Sequence, residues 1–194
     1  MYANNFCATI DACVLAKAVD RDLILRFRSK ELFRVAWSEM ILAETVGAVE
    51  KILKRKGHKQ AGSRAKKVCA AMERAFPDAM YPPSRLGLLS EIPEGVDSKD
   101  RHVVATALAA GSEVIVTHNL RDFPQDSLSQ IGLQVRTPDI FIADAIELSA
   151  PLATEAVHEL LRDWNKPRLD PEAFLIMLEA NGLVESANLL QHIL

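Results

Sequence analysis

Five acidic residues stand at positions from which their carboxylates could share one site, namely Asp11, Glu44, Asp97, Asp100 and Asp122. Carboxylates that converge on one place repel each other, and a bound cation relieves that repulsion. An all-oxygen set of ligands suits Mg²⁺ or Mn²⁺ rather than zinc. Magnesium keeps several of its waters when it binds, so the cluster predicts chemistry at a phosphate group.

Each of these acids also has an ordinary structural explanation when it is taken alone. Asp11 or Asp97 could cap the helix that follows it, and Asp100 could be a first-turn acid favoured by the helix dipole. Asp122 could be a turn residue, and Glu44 could be a boundary residue paired with a basic side chain. It is the combination of the five that points to a cation.

Short apolar runs alternate with helical stretches, which predicts βαβ units and a parallel sheet with helices on both faces. The predicted strands are 6–10, 32–38, 86–92, 113–117 and 133–138. Two of the predicted helices cover 13–28 and 60–76. A third is predicted between its N-cap, Ser38, and its stop, Gly57, and a fourth from its cap, Asp97 or Ser98, to Gly111. Sites in such sheets lie beyond the carboxyl ends of the strands, where Asp11 and Asp122 stand. We therefore expect these acids to lie in an exposed crevice and not in the core.

Glu44 is the acid whose position depends on a helical periodicity. Its neighbours Met40, Ile41, Val46 and Val49 are apolar. Because such residues at helical spacing face a core, we expect Glu44 to lie near the buried stripe of its helix rather than on the wet face.

Composition sets the class of protein. The chain has 194 residues, is 49% hydrophobic and 25% charged, and carries a net charge of −3, which predicts a globular protein and not a general polyanion binder. No apolar run is long enough to span a bilayer, and the N-terminal stretch lacks the basic start of a signal peptide. Three cysteines without metal-binding spacing, Cys7, Cys13 and Cys69, predict reduced, buried thiols and a cytoplasmic location.

The last third of the chain has a different composition from the rest. From residue 138 onward ten acidic residues face three basic ones, and the segment has a helical pattern. One helix is expected to have Asp170 as N-cap, Pro171 in its first turn and Gly182 at its end. We therefore predict a domain over 1–142 and a helical C-terminal extension over 143–194.

Four motifs, TIDACVL, WSEMILAETVGAV, DSKDRHVVATALAAGSEVIVTHNLRDFP and TPDIFIADAI, resemble the successive motifs of the PIN domain, over roughly residues 6–142. This resemblance implies a PIN-like three-layer α/β/α sandwich and a metal-dependent ribonuclease, as in the toxins of VapBC-type toxin–antitoxin pairs. It matches Asp11, Glu44 and Asp100 with metal-binding acids, and Thr117 with a hydroxyl residue that positions one of them. The implied partners are RNA and a cognate antitoxin. The apolar residues of the last helices are expected to pack onto the core, or else to form a homodimer or an inhibitor groove.

The chain departs from that pattern at Asn119, where the family usually has a fourth acid. Asp122 could take that role, or the site could use three acids and an amide. Asn119 and the acidic tail also support an alternative, a PIN-like protein that binds a partner without cleaving RNA. A second alternative, a phosphatase of the haloacid dehalogenase type, is weak. Such an enzyme needs a second aspartate two residues after the first, where this chain has Cys13. Catalysis by His102 or His118 is a further possibility, although both are expected to be hydrogen-bonded surface groups.

Residues 51–67 form a basic stretch with eight lysines or arginines and no acid. The rest of the chain then has fifteen basic and twenty-six acidic residues, a net charge of −11. The stretch could be a solvated helix end, or it could neutralise the phosphates of a nucleic acid. In the second case the candidates for the RNA backbone are Lys54, Arg55, Lys56 and Lys59. No aromatic residue is interleaved with them, so base stacking is not indicated.

Overall fold

The computed structural model describes residues 6–81, 92–164 and 169–194. The strands in these residues are β1 (Cys7–Ile10), β2 (Arg34–Ser38), β3 (Met80–Tyr81), β4 (Val114–Val116) and β5 (Gln134–Arg136). The helices are α1 (Ala12–Leu15), α2 (Ala18–Ser29), α3 (Glu39–Arg55), α4 (Ala61–Ala75), α5 (Arg101–Ala110), α6 (Gln125–Ser129), α7 (Pro138–Leu148), α8 (Ala150–Asp163), α9 (Pro171–Ala180) and α10 (Val184–Gln191). Short 3₁₀ turns lie at Pro77–Ala79 and Leu120–Asp122.

The described strands form one sheet in the order β3-β2-β1-β4-β5, and every neighbouring pair is parallel. The predicted α/β fold with a parallel central sheet flanked by helices is confirmed. From β1 the chain builds outward on one side through β2 and β3, and then continues on the other side of β1 through β4 and β5. The reversal leaves a switch point between β1 and β4, which is where ligands bind in open α/β sheets.

Local sequence explains where these elements begin and end. The residues of β1 and β4 are all buried, as expected of strands covered on both faces. Ser38 is the N-cap of α3, because its hydroxyl accepts the backbone N–H of Ile41 at 3.4 Å. Gly57 and Gly111 follow α3 and α5 with φ of 74° and 61°, a conformation that glycine adopts at little cost. These predicted ends are confirmed.

Two predicted elements differ in the structure. The single helix predicted over 13–28 is two helices, α1 and α2, and the interruption at Ala16 and Lys17 precedes Asp20, which lies in the first turn of α2. The strand predicted over 86–92 falls outside the described residues except for Ile92. The strand β3, which pairs Met80 with Trp37, was not predicted because two residues are too few to show a period.

The described residues group into two compact units. The sheet unit takes in Asn5–Lys17 and Arg34–Arg136, and the helical unit takes in Ala18–Phe33 and Thr137–Leu194. The predicted division at 142 and 143 stays a prediction. Over the described ranges, no helix is both long enough and apolar enough to cross a membrane.

In the sheet unit, helices pack against the sheet and against each other. Helix α5 lies against β1, β2 and β4, and its Ala110 packs with Cys7 and Ala36. Helix α3 packs against α1 and α4, where Val49 and Ala65 share a buried cluster with Ala16. This packing holds the carboxyl end of β1 and the start of α5 in a fixed framework.

In the helical unit, α2 packs against α7 and α8, and α10 packs against α7 and α9. The rings of Phe33 and Phe141 meet edge to face with centroids 4.7 Å apart. Asp170 accepts the backbone N–H of Ala173 at 2.8 Å, so the predicted N-cap of α9 is confirmed, as are Pro171 in its first turn and Gly182 just past its end. The most buried apolar side chains of the last two helices are Phe174, Leu178, Leu183 and Leu190.

Candidate active site

Asp11 stands at the carboxyl end of β1, at the switch point of the sheet. Its backbone N–H donates to the carbonyl of Val116 at 3.0 Å, and its own carbonyl accepts from Val14 and Leu15. Asp11 is therefore the N-cap of α1 by its backbone, but its carboxylate makes no capping bond. The residue is only 4% exposed, so the expectation that this acid lies in an open crevice and not in the core was wrong. A helix cap does not account for this buried carboxylate.

The Oδ2 atom of Asp11 accepts two hydrogen bonds from side chains. The hydroxyl of Thr117 donates to it at 2.6 Å, and the thiol of Cys13 donates to it at 3.0 Å. The first of these contacts is the one that the family resemblance implied for Thr117. Cys13 was treated in the sequence only as a buried thiol, and its place two residues after Asp11 was the available signal. Burial, then the charge of Asp11, raises the pKa of this thiol to about 12, so it is protonated and can donate.

Among the acids of the site, Asp100 is the one whose pKa is clearly raised. Its pKa is raised to about 6, first by burial and then by the negative charges of Asp11, Asp122 and Asp97, while His102 acts in the opposite direction. Asp100 occupies the N-cap position of α5, but its side chain makes no capping bond. Its carboxylate is therefore not explained by helix capping, and it stands in the field of three other acids.

Asp97 and Asp122 are linked through their backbones. The N–H of Asp97 donates to the carbonyl of Asp122 at 3.3 Å, and the carboxylate of Asp97 accepts the N–H of Lys99 at 2.9 Å. The prediction that Asp97 or Ser98 caps the following helix was wrong, because residues 97–100 form a turn and the cap position falls on Asp100. Asp97 therefore has an ordinary local role, whereas the carboxylate of Asp122 has no capping role and acts on Asp100 by its charge.

Asn119 lies on the exposed surface directly after β4. Its backbone N–H donates to the hydroxyl of Thr117 at 3.0 Å. At this edge of the site it is Asp122, and not Asn119, that supplies negative charge.

Glu44 lies on the exposed side of α3, and the expectation that it lies near the buried stripe was wrong. Its side chain is 50% exposed. The buried residues of α3 are Ile41, Leu42, Thr45 and Val49, a stripe rotated away from Glu44. Thr45 can enter this stripe because its hydroxyl donates to the carbonyl of Ile41 at 2.8 Å, which satisfies its polar atom.

Glu44 on α3 contacts His102 on α5. The Nε2 atom of His102 lies 3.2 Å from a carboxylate oxygen of Glu44, although the contact is not aligned as a hydrogen bond. The Nδ1 atom lies 2.7 Å from the carbonyl of Lys99, which fixes the ring. His102 is buried, so the expectation of a surface histidine was wrong for this residue.

Comparisons with known proteins found similarity over part of the chain. Residues 138–192 match the family model described as the VapC50 C-terminal domain. A protein of Mycobacterium tuberculosis named "Putative ribonuclease VapC50" is 34% identical over 77 residues, which are 40% of this chain and 46% of that protein. Over these stretches the chain is similar to VapC-like proteins. The match thus spans less than half of that relative, and no solved structure matches the chain.

The acids around the end of β1 offer donor atoms of the kind that a hard divalent cation requires. Asp11, Asp97, Asp100 and Asp122 offer carboxylate oxygens, and within the described residues no lysine or arginine forms an ion pair with any of them. Burial, and then the negative charge of the other three acids, raises the pKa of Asp100 to about 6. The residues therefore fit Mg²⁺ or Mn²⁺ in chemistry and charge. Across the same residues, no three acidic, histidine or cysteine side chains are already arranged as a metal shell.

The basic stretch, residues 51–67, covers the end of α3, the turn after it and the first half of α4. Lys54, Arg55, Lys56 and Lys59 are all exposed. Lys54 is paired with Glu50 at 2.7 Å and lowers the pKa of that glutamate. A shallow groove beside this pair is lined by Glu50, Gly62, Ser63, Lys66, Lys67 and Ala70.

Proposed function

We propose that this chain is an endoribonuclease that needs Mg²⁺ or Mn²⁺ to hydrolyse RNA phosphodiesters, and that it is the toxin of a VapBC-type pair acting in the cytoplasm. The observation that carries the proposal is the buried carboxylate of Asp11 at the switch point of the sheet, which Thr117 and Cys13 hold by one oxygen. The pKa of Asp100, which burial and then the charges of Asp11, Asp122 and Asp97 raise to about 6, supports it. Unpaired acids of this kind are typical of sites that a cation completes. The ribonuclease named among the relatives supports the same class of reaction.

Asp11, Asp100 and Glu44 are the residues that would hold the cation, and Asp122 and Asp97 would add negative charge around it. A bound divalent ion would stabilise negative charge on the phosphodiester and favour water as a nucleophile. Thr117 would keep the carboxylate of Asp11 in one orientation through its 2.6 Å hydrogen bond. His102 would keep Glu44 near the other acids through their 3.2 Å contact.

The test of the reaction is cleavage of single-stranded RNA by the purified full chain with Mg²⁺, with Mn²⁺ and with EDTA. We expect EDTA to abolish cleavage and Asp11→Asn to lower it at least about 100-fold, because several kcal/mol of charge stabilisation are lost. Asp126→Asn is the matched control, since it makes the same change at an exposed residue of α6. Equal cleavage by Asp11→Asn and the unaltered chain would point to a contaminating nuclease and overturn the proposal.

The exposed cations of α3 and the turn after it would contact the RNA backbone. Replacing Lys54, Arg55 and Lys56 by Ala should weaken binding to all RNA sequences and reduce the salt dependence by about 0.7 in log–log slope for each lost phosphate contact. Because Lys54 already pairs with Glu50, we expect Arg55 and Lys56 to carry most of this change. Arg74→Ala, at the other end of α4, is the control, and an unchanged slope in the triple variant would exclude the patch.

A second candidate function is that of a PIN-like protein that binds RNA or a protein partner without cleavage. Two observations favour it, the amide of Asn119 where the family usually has an acid and the lack of a preformed three-residue metal shell among the described residues. This candidate predicts RNA binding that is unchanged by EDTA and no product with either metal. Metal-dependent product that Asp11→Asn removes would exclude it.

The toxin part of the proposal has its own test. Expression of the chain alone should arrest growth, and co-expression of the neighbouring gene product, the proposed antitoxin, should relieve that arrest. The mass of the purified chain by light scattering tests whether it forms a homodimer. Harmless expression of a folded chain that cleaves RNA would leave the ribonuclease standing and overturn the toxin.

A further inference from the structure

We propose that Cys13 is a positioning residue, which together with Thr117 fixes the carboxylate of Asp11. This inference rests on the proposed function, because the orientation of Asp11 matters only if that carboxylate takes part in binding a cation. Nothing in the sequence motifs assigned a role to this thiol.

The geometry places two donors on a single oxygen of Asp11. Oδ2 accepts the hydroxyl of Thr117 at 2.6 Å and the thiol of Cys13 at 3.0 Å. The two donors lie 3.4 Å from each other, so both reach this oxygen from one side. Among the described residues no donor reaches Oδ1. The carboxylate is thus held by one oxygen, and the other is left for a ligand.

Each donor is itself oriented by the backbone that follows β4. The N–H of His118 donates to the sulfur of Cys13 at 3.3 Å, and the N–H of Asn119 donates to the hydroxyl of Thr117 at 3.0 Å. A thiol or hydroxyl has one proton, so an N–H on its acceptor side leaves that proton for the carboxylate. Two successive amides after β4 therefore aim two side-chain donors at Asp11.

The other two cysteines have no such geometry. The thiol of Cys69 donates to the carbonyl of Leu42 at 3.7 Å, and the sulfur of Cys7 accepts the hydroxyl of Ser112 at 3.4 Å. Both are buried among apolar residues of the sheet unit. Cys13 is the cysteine whose donor faces an acid of the site, and Cys69 offers a matched control.

The first test is Mn²⁺ binding to the full chain without RNA, followed by the electron paramagnetic resonance signal of free Mn²⁺. Cys13→Ala and Cys13→Val remove the donor, and each should weaken binding about tenfold, the lower end of what loss of a residue supporting a metal ligand costs. Cys13→Ser keeps a donor and should stay within about threefold of the unaltered chain. Cys69→Ala should bind as the unaltered chain does. Valine nearly keeps the side-chain volume, so it separates loss of the donor from loss of packing.

The second test asks whether Cys13 and Thr117 act through the same atom. If both act through Oδ2 of Asp11, the double variant Cys13→Ala with Thr117→Val should lose less Mn²⁺ affinity than the product of the two single losses. In an Asp11→Asn background, Cys13→Ala should change Mn²⁺ binding by less than about twofold. A merely structural role would lower the melting temperature of all these backgrounds alike and give independent effects.

The outcomes separate this inference from the function on which it rests. If Asp11→Asn binds Mn²⁺ as the unaltered chain does, the proposed metal site fails. If Asp11→Asn loses Mn²⁺ while Cys13→Ala and Cys13→Val both bind as Cys69→Ala does, the metal site stands and the role of Cys13 is overturned. Failure of Cys13→Ser to restore binding would overturn it as well.

Discussion

The sheet unit and the helical unit use carboxylates in opposite ways. In the helical unit, Lys30 lies 2.7 Å from both Glu155 and Glu159, and it lowers the pKa of Glu159. In the sheet unit, burial and neighbouring acids raise the pKa of Asp100 to about 6. An acid paired with a base is stabilised in its charged form, whereas a buried acid among other acids is destabilised in it, as is typical of sites that bind a ligand.

Two aspartates make the same contrast at the level of single atoms. Both oxygens of Asp139 accept backbone N–H groups at the start of α10, from Glu185 at 3.0 Å and Ser186 at 2.9 Å, and the hydroxyl of Ser186 adds a third bond. The carboxylate of Asp11 accepts no backbone N–H from the helix that it precedes, and it accepts two side-chain donors on one oxygen. A carboxylate whose two oxygens both accept backbone N–H groups has a structural role. A carboxylate that is held by one oxygen keeps the other oxygen free to bind a ligand.

The largest effect on stability is expected at Asp139. Asp139→Ala should lower the free energy of unfolding by about 2 kcal/mol, because α10 loses its cap and the buried hydroxyl of Ser186 loses a partner. RNA cleavage should change little. Urea unfolding measures the first quantity, with Asp144→Ala, an exposed residue of the same helix, as the control. If Asp139→Ala and Asp144→Ala lower the free energy of unfolding equally, Asp139 has no special structural role and its contrast with Asp11 fails.

The next effect concerns pH and Asp100. A carboxyl whose pKa rises from 3.8 to about 6 on folding binds its proton more tightly in the folded chain, so stability should fall as pH rises between these values and then level off. Asp100→Asn should remove this fall and stabilise the metal-free chain at pH 7 by about 1 kcal/mol, after discounting for the screening of a partly exposed group.

Unfolding midpoints between about pH 4 and pH 7, with EDTA present, measure this difference. Asp126→Asn serves as the control for loss of one negative charge in the same unit. If Asp100→Asn unfolds with the same pH profile as the unaltered chain, the site does not raise the pKa of Asp100. The contrast with Glu159, whose pKa is lowered, would then fail.

The smallest effect is expected at Lys30. Lys30→Gln removes contacts to Glu155 and Glu159, which lie largely on the surface, so the melting temperature should fall slightly at low salt. High salt should reduce the difference, because exposed ion pairs are screened. Lys59→Gln, at an exposed turn, is the control. A large loss that salt does not reduce would mean that these pairs are far more important to the helical unit than surface pairs usually are.

Much of the framework could be predicted because it depends on local chemistry. Ser38 and Asp170 are caps that any helix in their place would use, and Gly57 and Gly111 supply the positive φ at helix ends. Asp11 and Thr117 each follow an apolar run that is typical of a buried parallel strand. That both lie at the carboxyl ends of strands, and so near each other, could therefore be predicted.

What could not be predicted depends on contacts between distant residues. Glu44 faces outward because Thr45 enters the core by bonding to Ile41, an option that a hydrophobic pattern does not register. Asp100 rather than Asp97 occupies the cap position because the turn at 97–100 is tied to Asp122 through its backbone. Cys13 was missed because a thiol is recognised as a donor only once its acceptor is known.

The make-up of the helical unit has a consequence for the order in which the chain can fold during synthesis. Helix α2 leaves the ribosome well before α8, which carries the partners of Arg26 and Lys30. The separation is 137 residues from Arg26 to Asp163 and 125 from Lys30 to Glu155. At ordinary rates of translation these contacts are delayed by roughly ten seconds. A chain shortened before residue 137 never makes these contacts, so Arg26 and Lys30 lose their partners on α8. A truncation meant to isolate the sheet unit would therefore also remove a natural step of folding.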